Sequence, residues 1–226
     1  MVPSGLFITI EGPDGSGKTT QMERLEVFLR RQGLAVECTR EPGGTPLAEA
    51  IRRLLLVPHY GPVDARAEIL LYAAARAQHV AERIRPALAA GKIVLCDRFS
   101  DSTLAYQGYG RGLGAELVHQ VNDLATGGLE PDLTLLIDVP VEVGLARRRG
   151  LAADRMEQEE LAFHQRVRQG YLELSRREPG RVRRVDGTGT PDAVWAQVEG
   201  IVVPWLAGAL PAARAATAGP IQREAR

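Results

Sequence analysis

The chain predicts an α/β fold, a parallel sheet covered by helices on both faces. Three observations lead there. Short apolar runs alternate with helix-period segments from one end of the chain to the other. Several of those runs are apolar at every position, the pattern of strands buried on both faces rather than one. No internal repeat or linker divides the 226 residues, a length that suffices for one sizeable core.

The elements follow in order. Leu6-Phe7-Ile8-Thr9-Ile10 is rich in β-branched residues and ends in a glycine cluster, as a first strand would. From about Thr19 to Arg31 a helix places Leu25, Phe28 and Leu29 on one face, with Gly33 at the C-terminal stop position. Ala35 to Thr39 reads as the second strand, and the turn Glu41-Pro42-Gly43-Gly44-Thr45-Pro46 leads into a helix through Arg52 to Leu56. Breakers from Pro58 to Pro62 precede a long helix from about Asp64 to Ala89, which Pro86 kinks or ends. Ile93 to Cys96, Leu133 to Val139 and the weaker Val182 to Asp186 supply three more strands, making a five-stranded sheet. From Ala207 to Arg226 no apolar period holds, so a single domain is expected over 1–206 and a disordered tail over 207–226.

Composition narrows the function. Lys+Arg 28 against Asp+Glu 28 leaves a formal net charge of +0, so no global field draws the chain to nucleic acid or membrane. No apolar run approaches the roughly 20 residues of a membrane helix, and Met1 to Gly5 lacks a signal-peptide pattern, so a cytoplasmic location is expected. Cys38 and Cys96 both sit in strand patterns and read as small buried residues in a reducing compartment. Every basic residue is arginine except Lys18 and Lys92, so a lysine at position 18 calls for a specific reason.

That reason is local. Gly12-Pro13-Asp14-Gly15-Ser16-Gly17-Lys18-Thr19 is a complete G-x-x-x-x-G-K-[ST] motif between the first strand and the first helix. Such a loop curls its backbone N–H groups around an anion and sets it at a helix N-terminus. Lys18 would reach the β- and γ-phosphates of ATP, and Thr19 would offer its hydroxyl to Mg²⁺. The fold expected is therefore the three-layer P-loop NTPase fold. A P-loop alone does not choose between kinases, switches, motors and synthetases. The third strand ends in Asp97-Arg98-Phe99, without a glycine-bearing switch segment. Asp97 could hold Mg²⁺ through water and Arg98 a second phosphate; a surface ion pair capping the strand is the alternative. Arg147-Arg148-Arg149-Gly150, followed by Asp154-Arg155-Met156-Glu157, reads as a small mobile lid over about 147–157 that closes on a triphosphate and excludes water. A solvated arginine-rich face is the alternative there. His59, His79, His119 and His164 match no catalytic constellation.

With the P-loop, Arg40-Glu41-Pro42-Gly43-Gly44-Thr45, Tyr72 with Arg76, Asp97-Arg98-Phe99, Asp101 to Gly108 and Asp154-Arg155 in order and spacing, the chain to about residue 206 resembles the thymidylate kinases among the nucleoside-monophosphate kinases. The resemblance implies transfer of the ATP γ-phosphoryl to dTMP with Mg²⁺, in a homodimer. It implies that Asp14 accepts from the deoxyribose 3′-hydroxyl, and that Arg98, assisted by Arg40 or its loop, binds the monophosphate. Tyr72, where the family usually has Phe, would stack on thymine, and Arg76 would donate to its O4. Thr103 and Gln107 would make polar contacts near the base, and Tyr106 would pack under the sugar where a ribose 2′-hydroxyl clashes. Asp186 to Thr190 stands where an adenine-contacting loop belongs. Position 15 is glycine rather than arginine, which resembles the bacterial arrangement and assigns transition-state charge neutralisation to the lid, Arg155 first and Arg149 second. The alternatives are another nucleotide or deoxynucleoside kinase, which would not need Tyr72, Arg76 and Thr103 together, and a nucleotide-dependent switch acting on a partner protein.

Overall fold

In the computed structural model, residues 5–57, 61–149 and 154–217 are described. The predicted breaker Pro58, His59 and the lid glycine Gly150 lie outside them. Five parallel strands form one sheet in the order β2-β3-β1-β4-β5: β1 (Leu6–Glu11), β2 (Val36–Arg40), β3 (Ile93–Asp97), β4 (Leu133–Asp138) and β5 (Val182–Asp186). β1 is central, pairing Ile8 with Leu95 on one side and with Leu133 on the other. Every residue of β1 and β4 is buried, which is why their sequences carry no polar alternation.

Alternate residues of β1 feed the two faces. Leu6, Ile8 and Ile10 pack with Leu25 and Leu29 of α1 (Lys18–Arg31) and with Val194, Val198, Val202 and Leu206 of α9 (Pro191–Thr217). Phe7 points the other way, to Val80, Ile84 and Leu88 beneath Phe99. The long predicted helix runs unbroken to Ala89, widened by a π-helical turn just before Pro86. α3 (Ala65–His79) passes into a π-helical turn (Val80–Ile84) and then a short α4 (Arg85–Ala89) with the proline in its first turn. α2 (Pro46–Leu56) starts at a Thr45 cap, whose hydroxyl accepts from the Ala48 amide. After β3 come α5 (Ser100–Thr103), a second π-helical turn (Leu104–Gly110) and α6 (Ala115–Thr126). α7 (Val141–Arg147) and α8 (Leu161–Arg177) flank the lid segment, and α8 packs on the second π-helical turn.

Two expectations change. α9 continues to Thr217, so the segment read as a tail from residue 207 begins as helix; 218–226 lie outside the described residues. Its stretch Pro191–Leu210, of mean hydropathy 1.4, is also long and apolar enough to cross a membrane. Val194, Val198, Val202 and Leu206 recur at four-residue spacing and are buried on the sheet, the pattern of a core-covering helix.

Candidate active site

β1 delivers the phosphate loop to the C-terminal edge of the sheet, the edge where α/β folds bind ligands. Gly12 has φ 143, and a Cβ there would stand 2.2 Å from the Ile137 carbonyl oxygen. At Gly15, φ 73, a Cβ would meet the Gly144 carbonyl oxygen at the same 2.2 Å. Only glycine lets the loop pass this close to β4 and α7. Lys18, buried, folds over its own loop and donates to the carbonyls of Gly12 (3.1 Å) and Pro13 (2.9 Å). Burial and the neighbouring Arg98 charge bring its pKa down to about 8, against the pull of Asp14, Asp97 and Glu11. Ser16 Oγ and Asp97 Oδ1 are buried without a hydrogen-bond partner among the described residues, and Thr19 stands at the mouth of the same cavity.

That cavity measures about 510 Å³. Beside the phosphate loop it is lined by Arg98, which at φ 70 is the sole non-glycine residue of positive φ among those described. A left-handed arginine costs roughly 1–2 kcal/mol, which its contacts must offset. Nη2 donates to Asp14 Oδ1 at 2.6 Å, Nη1 to the Gly12 carbonyl at 3.1 Å and to Tyr171 OH at 3.1 Å, and Cζ lies 5.1 Å from the Tyr106 ring centroid. Tyr106 OH donates to Asp14 Oδ2 at 2.8 Å. Burial would raise the Asp14 pKa, but the Arg98 and Lys18 charges and the Tyr106 hydroxyl hold it below the usual range. Beneath Arg98 lies Glu11, fully buried, which accepts from the Phe99 amide (2.7 Å), Ser102 Oγ (2.6 Å) and Tyr171 OH (2.9 Å). Burial, reinforced by the Asp101 charge, pushes its pKa up to about 7.

Tyr72, Arg76, Thr103 and Gln107 line the same cavity, so the residues predicted to read a base are brought together. Arg76 is buried rather than solvated. It donates through Nε to Glu41 Oε2 (2.7 Å), through Nη1 to Asn122 Oδ1 (2.7 Å) and through Nη2 to the Phe99 carbonyl (3.0 Å), using three of its five N–H groups. Glu41 also meets His79 Nδ1 at 2.9 Å, and His79 Nε2 meets Thr39 Oγ1 at 2.6 Å. Gln107 donates to Glu68 Oε1 at 2.8 Å. Glu68 is fully buried, and Arg111 holds its carboxyl charged against that burial.

The arginines are arranged differently from the sequence reading. Arg40 turns outward to Glu49 at 2.9 Å and does not line the cavity; Arg52 does, one face of α2 later, with Nη1 on the Pro42 carbonyl at 2.8 Å. Arg155 is anchored away from the phosphate loop, Nε on the Leu55 carbonyl at 2.7 Å and Nη2 2.6 Å from Glu68 Oε2, an ion pair whose N–H is not aimed along the contact. Arg149 is exposed and does not line the cavity. Arg147 and Arg148 line the cavity instead. Arg147 ties Gly15 to the loop after β5 through the carbonyls of Gly187 (3.0 Å) and Thr188 (3.3 Å), and Arg148 is paired with Glu157 at 2.7 Å. Glu11, Glu68, Arg52 and Tyr171 escaped the sequence reading. A carboxylate at the end of an otherwise apolar strand, as at Glu11, was the one signal available.

The comparisons with known proteins agree with this geometry. The family model described as thymidylate kinase matches residues 10–198. A thymidylate kinase of Syntrophotalea carbinolica is 58% identical over 195 residues, covering 83% of this chain and 90% of that protein. One from Thermomicrobium roseum is 57% identical over 198 residues, 85% and 93% of the respective lengths. The crystal structure of thymidylate kinase from Ehrlichia chaffeensis superposes with a TM-score of 0.71 at 38% identity, over 88% of this chain and 99% of that one. With a P-loop motif and Arg98 lining one cavity, and with matches of this extent, the chain belongs to the thymidylate kinase family.

Proposed function

We infer that this cavity is where the family's reaction, ATP-dependent phosphorylation of dTMP to dTDP, takes place, within a single kinase domain. The observation that carries the reading is that two cations line it side by side, Lys18 on the phosphate loop and Arg98 braced by Asp14, both donating to the Gly12 carbonyl. Gly12 to Thr19 hold the ATP phosphates, with Lys18 leaving its two carbonyls for a phosphate oxygen. The acceptor is already an anion, so no base is required; positioning and charge neutralisation do the chemistry. Mg²⁺ supplies charge neutralisation between the phosphates when bound. The partnerless Asp97 Oδ1 and the Thr19 hydroxyl fit it, and no cluster of three or more acidic, Cys or His side chains among the described residues offers an all-protein cage.

On the acceptor side Arg98 binds the dTMP phosphate, with Arg52 taking the supporting place expected of Arg40. Asp14 receives the 3′-hydroxyl beside Tyr106. Tyr72 stacks on the base, Arg76 offers its remaining N–H groups to O4, and Thr103 and Gln107 complete the edge. Arg147 and Arg148 are the lid arginines at the cavity wall, and Arg155 or Arg149 reaches a transferring phosphoryl only after the lid shifts. The exposed Leu70 (61%) on α3 and Leu124 (87%) on the neighbouring α6 support a homodimer through these helices. A cytoplasmic enzyme without nucleic-acid or membrane partners is the accompanying reading.

The test is ADP formation with ATP–Mg²⁺ against dTMP, dUMP, UMP, CMP, AMP and GMP. Strong preference for dTMP is expected. Preference for another acceptor overturns the base pocket, and hydrolysis indifferent to acceptor overturns the phosphate-acceptor site at Arg98. Sedimentation of the purified chain with Leu124→Glu checks the dimer face.

A further inference from the structure

Arg98 holds an unfavourable backbone conformation, so something must fix where its guanidinium points. Nη2 is committed to Asp14. Nη1 has two N–H groups and three acceptors within reach: the Gly12 carbonyl at 3.1 Å, Tyr171 OH at 3.1 Å and Ser102 Oγ at 3.3 Å. The two hydroxyls are not free rotors. Tyr171 donates to Glu11 Oε2 at 2.9 Å and Ser102 donates to the same oxygen at 2.6 Å, while the Phe99 amide holds Oε1 at 2.7 Å. With their hydrogens turned to the carboxylate, both hydroxyls present lone pairs to Arg98.

We propose that Tyr171, oriented by Glu11 and seconded by Ser102, is the positioning residue of the acceptor-phosphate arginine. It stands on α8, the helix that follows the lid segment, so the acceptor site is braced by the element on which the lid is mounted. Tyr171 touches no substrate; it acts through the direction of the Arg98 guanidinium. Its ring is a separate matter. Tyr171 is buried among Phe163, Val167 and Leu174, and phenylalanine fills the same space. The hydroxyl alone carries the proposed role. The inference rests on the reading of Arg98 as the dTMP-phosphate ligand, and the test separates the two.

The experiment is a double-mutant cycle in steady-state kinetics with Tyr171→Phe, Arg98→Ala and the pair, measuring KM for dTMP and for ATP and kcat. Tyr171→Phe is expected to raise KM for dTMP about tenfold, the effect of one charge-assisted hydrogen bond, with KM for ATP unchanged. In the Arg98→Ala background that tenfold effect should vanish. Ser102→Ala, whose contact is longer, should give a smaller change of the same kind, and it decides the matter if Tyr171→Phe does not fold. An equal effect of Tyr171→Phe in both backgrounds, or an equal change in both substrates' KM, overturns the positioning role while leaving Arg98 in place. An unchanged KM for dTMP in Arg98→Ala alone overturns the reading of Arg98 and the positioning role with it.

Discussion

On the donor side of the cavity Lys18 turns its charge onto two carbonyls of its own loop, and Ser16 Oγ and Asp97 Oδ1 have no partner among the described residues. On the acceptor side Arg98 is tied to Asp14, Arg76 to Glu41 and Gln107 to Glu68, each pair closed at 2.6–2.8 Å. On the proposed reading Lys18 exchanges its two carbonyls for phosphate oxygens that every nucleoside triphosphate carries, and Ser16 and Asp97 are the groups left without a partner beforehand. The acceptor groups are set by the protein beforehand, because recognising one base and one sugar depends on fixed directions. Substitutions on the donor side should therefore cost rate and little stability, and substitutions on the acceptor side should cost stability and substrate recognition.

Lys18→Ala sets the donor extreme. Transfer should fall roughly 10³-fold or more, since on the proposed reading the variant loses the cation that meets the transferring phosphoryl. The melting temperature should hold or rise, because the buried amine is disfavoured by desolvation, as its lowered pKa records. Single-turnover phosphoryl transfer beside calorimetry checks both. A clear loss of stability would make the loop a structural element and break the contrast. Arg76→Ala sets the other extreme. It strands Glu41, buried and facing His79, and should cost about 3–5 kcal/mol, on the order of 10 °C in melting temperature for a chain of this size. An unchanged melting temperature would show that the acceptor side is not cross-linked as described.

The same contrast governs how much could be read beforehand. The phosphate loop is contiguous, so eight consecutive residues disclosed the donor side. The strands followed from apolar runs, and β1, β3, β4 and β5 fall within a residue or so of the expected spans. The acceptor side is assembled from pairs far apart in the chain, such as Tyr171 with Glu11 and Arg76 with Glu41, and local periodicity holds no trace of them. Family resemblance supplied Tyr72, Arg76, Thr103 and Gln107, and these do line the cavity. It could not say which of several arginines faces inward. Arg40 and Arg52 differ in that respect because β2 ends with Arg40 outward, where Glu49 receives it, while α2 turns Arg52 toward Pro42. Neither π-helical turn was expected, since a single wide turn is too short to show as an apolar period of its own.

Glu11 gives a pH-dependent form of the comparison. From neighbouring elements Asp101, Arg98, Ser102, Tyr171 and the Phe99 amide face it, and Lys18 lies within electrostatic reach. Burial and Asp101 raise its pKa from 4.5 to about 7. A carboxyl whose folded pKa is raised stabilises fully below the unfolded value, and that contribution is lost as pH climbs to the folded value. Between pH 4.5 and about 7 the native state should lose on the order of 2–3 kcal/mol through this group. Asp14 and Glu68 move oppositely, but their lowered values confine their effect to more acid solution. Denaturant unfolding of the wild type and of Glu11→Gln at pH 5 and pH 8 isolates the contribution of this carboxyl. The variant should close the gap on the wild type at the higher pH, and a pH-independent difference would remove Glu11 from the account.

Tyr106 offers the smallest and most discriminating effect. Its ring lies against the Arg98 guanidinium at 5.1 Å, and its hydroxyl reaches Asp14 at 2.8 Å. On the proposed reading the two parts of one side chain serve different ends: the ring occupies space beside the sugar site, and the hydroxyl orients the carboxylate that receives the 3′-hydroxyl. Tyr106→Phe keeps the ring and loses the hydrogen bond, so KM for dTMP should rise several-fold while rejection of the ribonucleotide persists. Tyr106→Ala removes the ring as well, and the preference for deoxyribonucleotide over ribonucleotide should fall about tenfold, as expected when a steric block of a few atoms is lost. Measuring kcat/KM for dTMP and for its ribose counterpart in the three enzymes separates the parts. If alanine and phenylalanine relax discrimination equally, sugar selection lies with the hydroxyl and Asp14. If neither does, the 2′-position is policed elsewhere on the acceptor wall, and prewiring there serves the phosphate and the base alone.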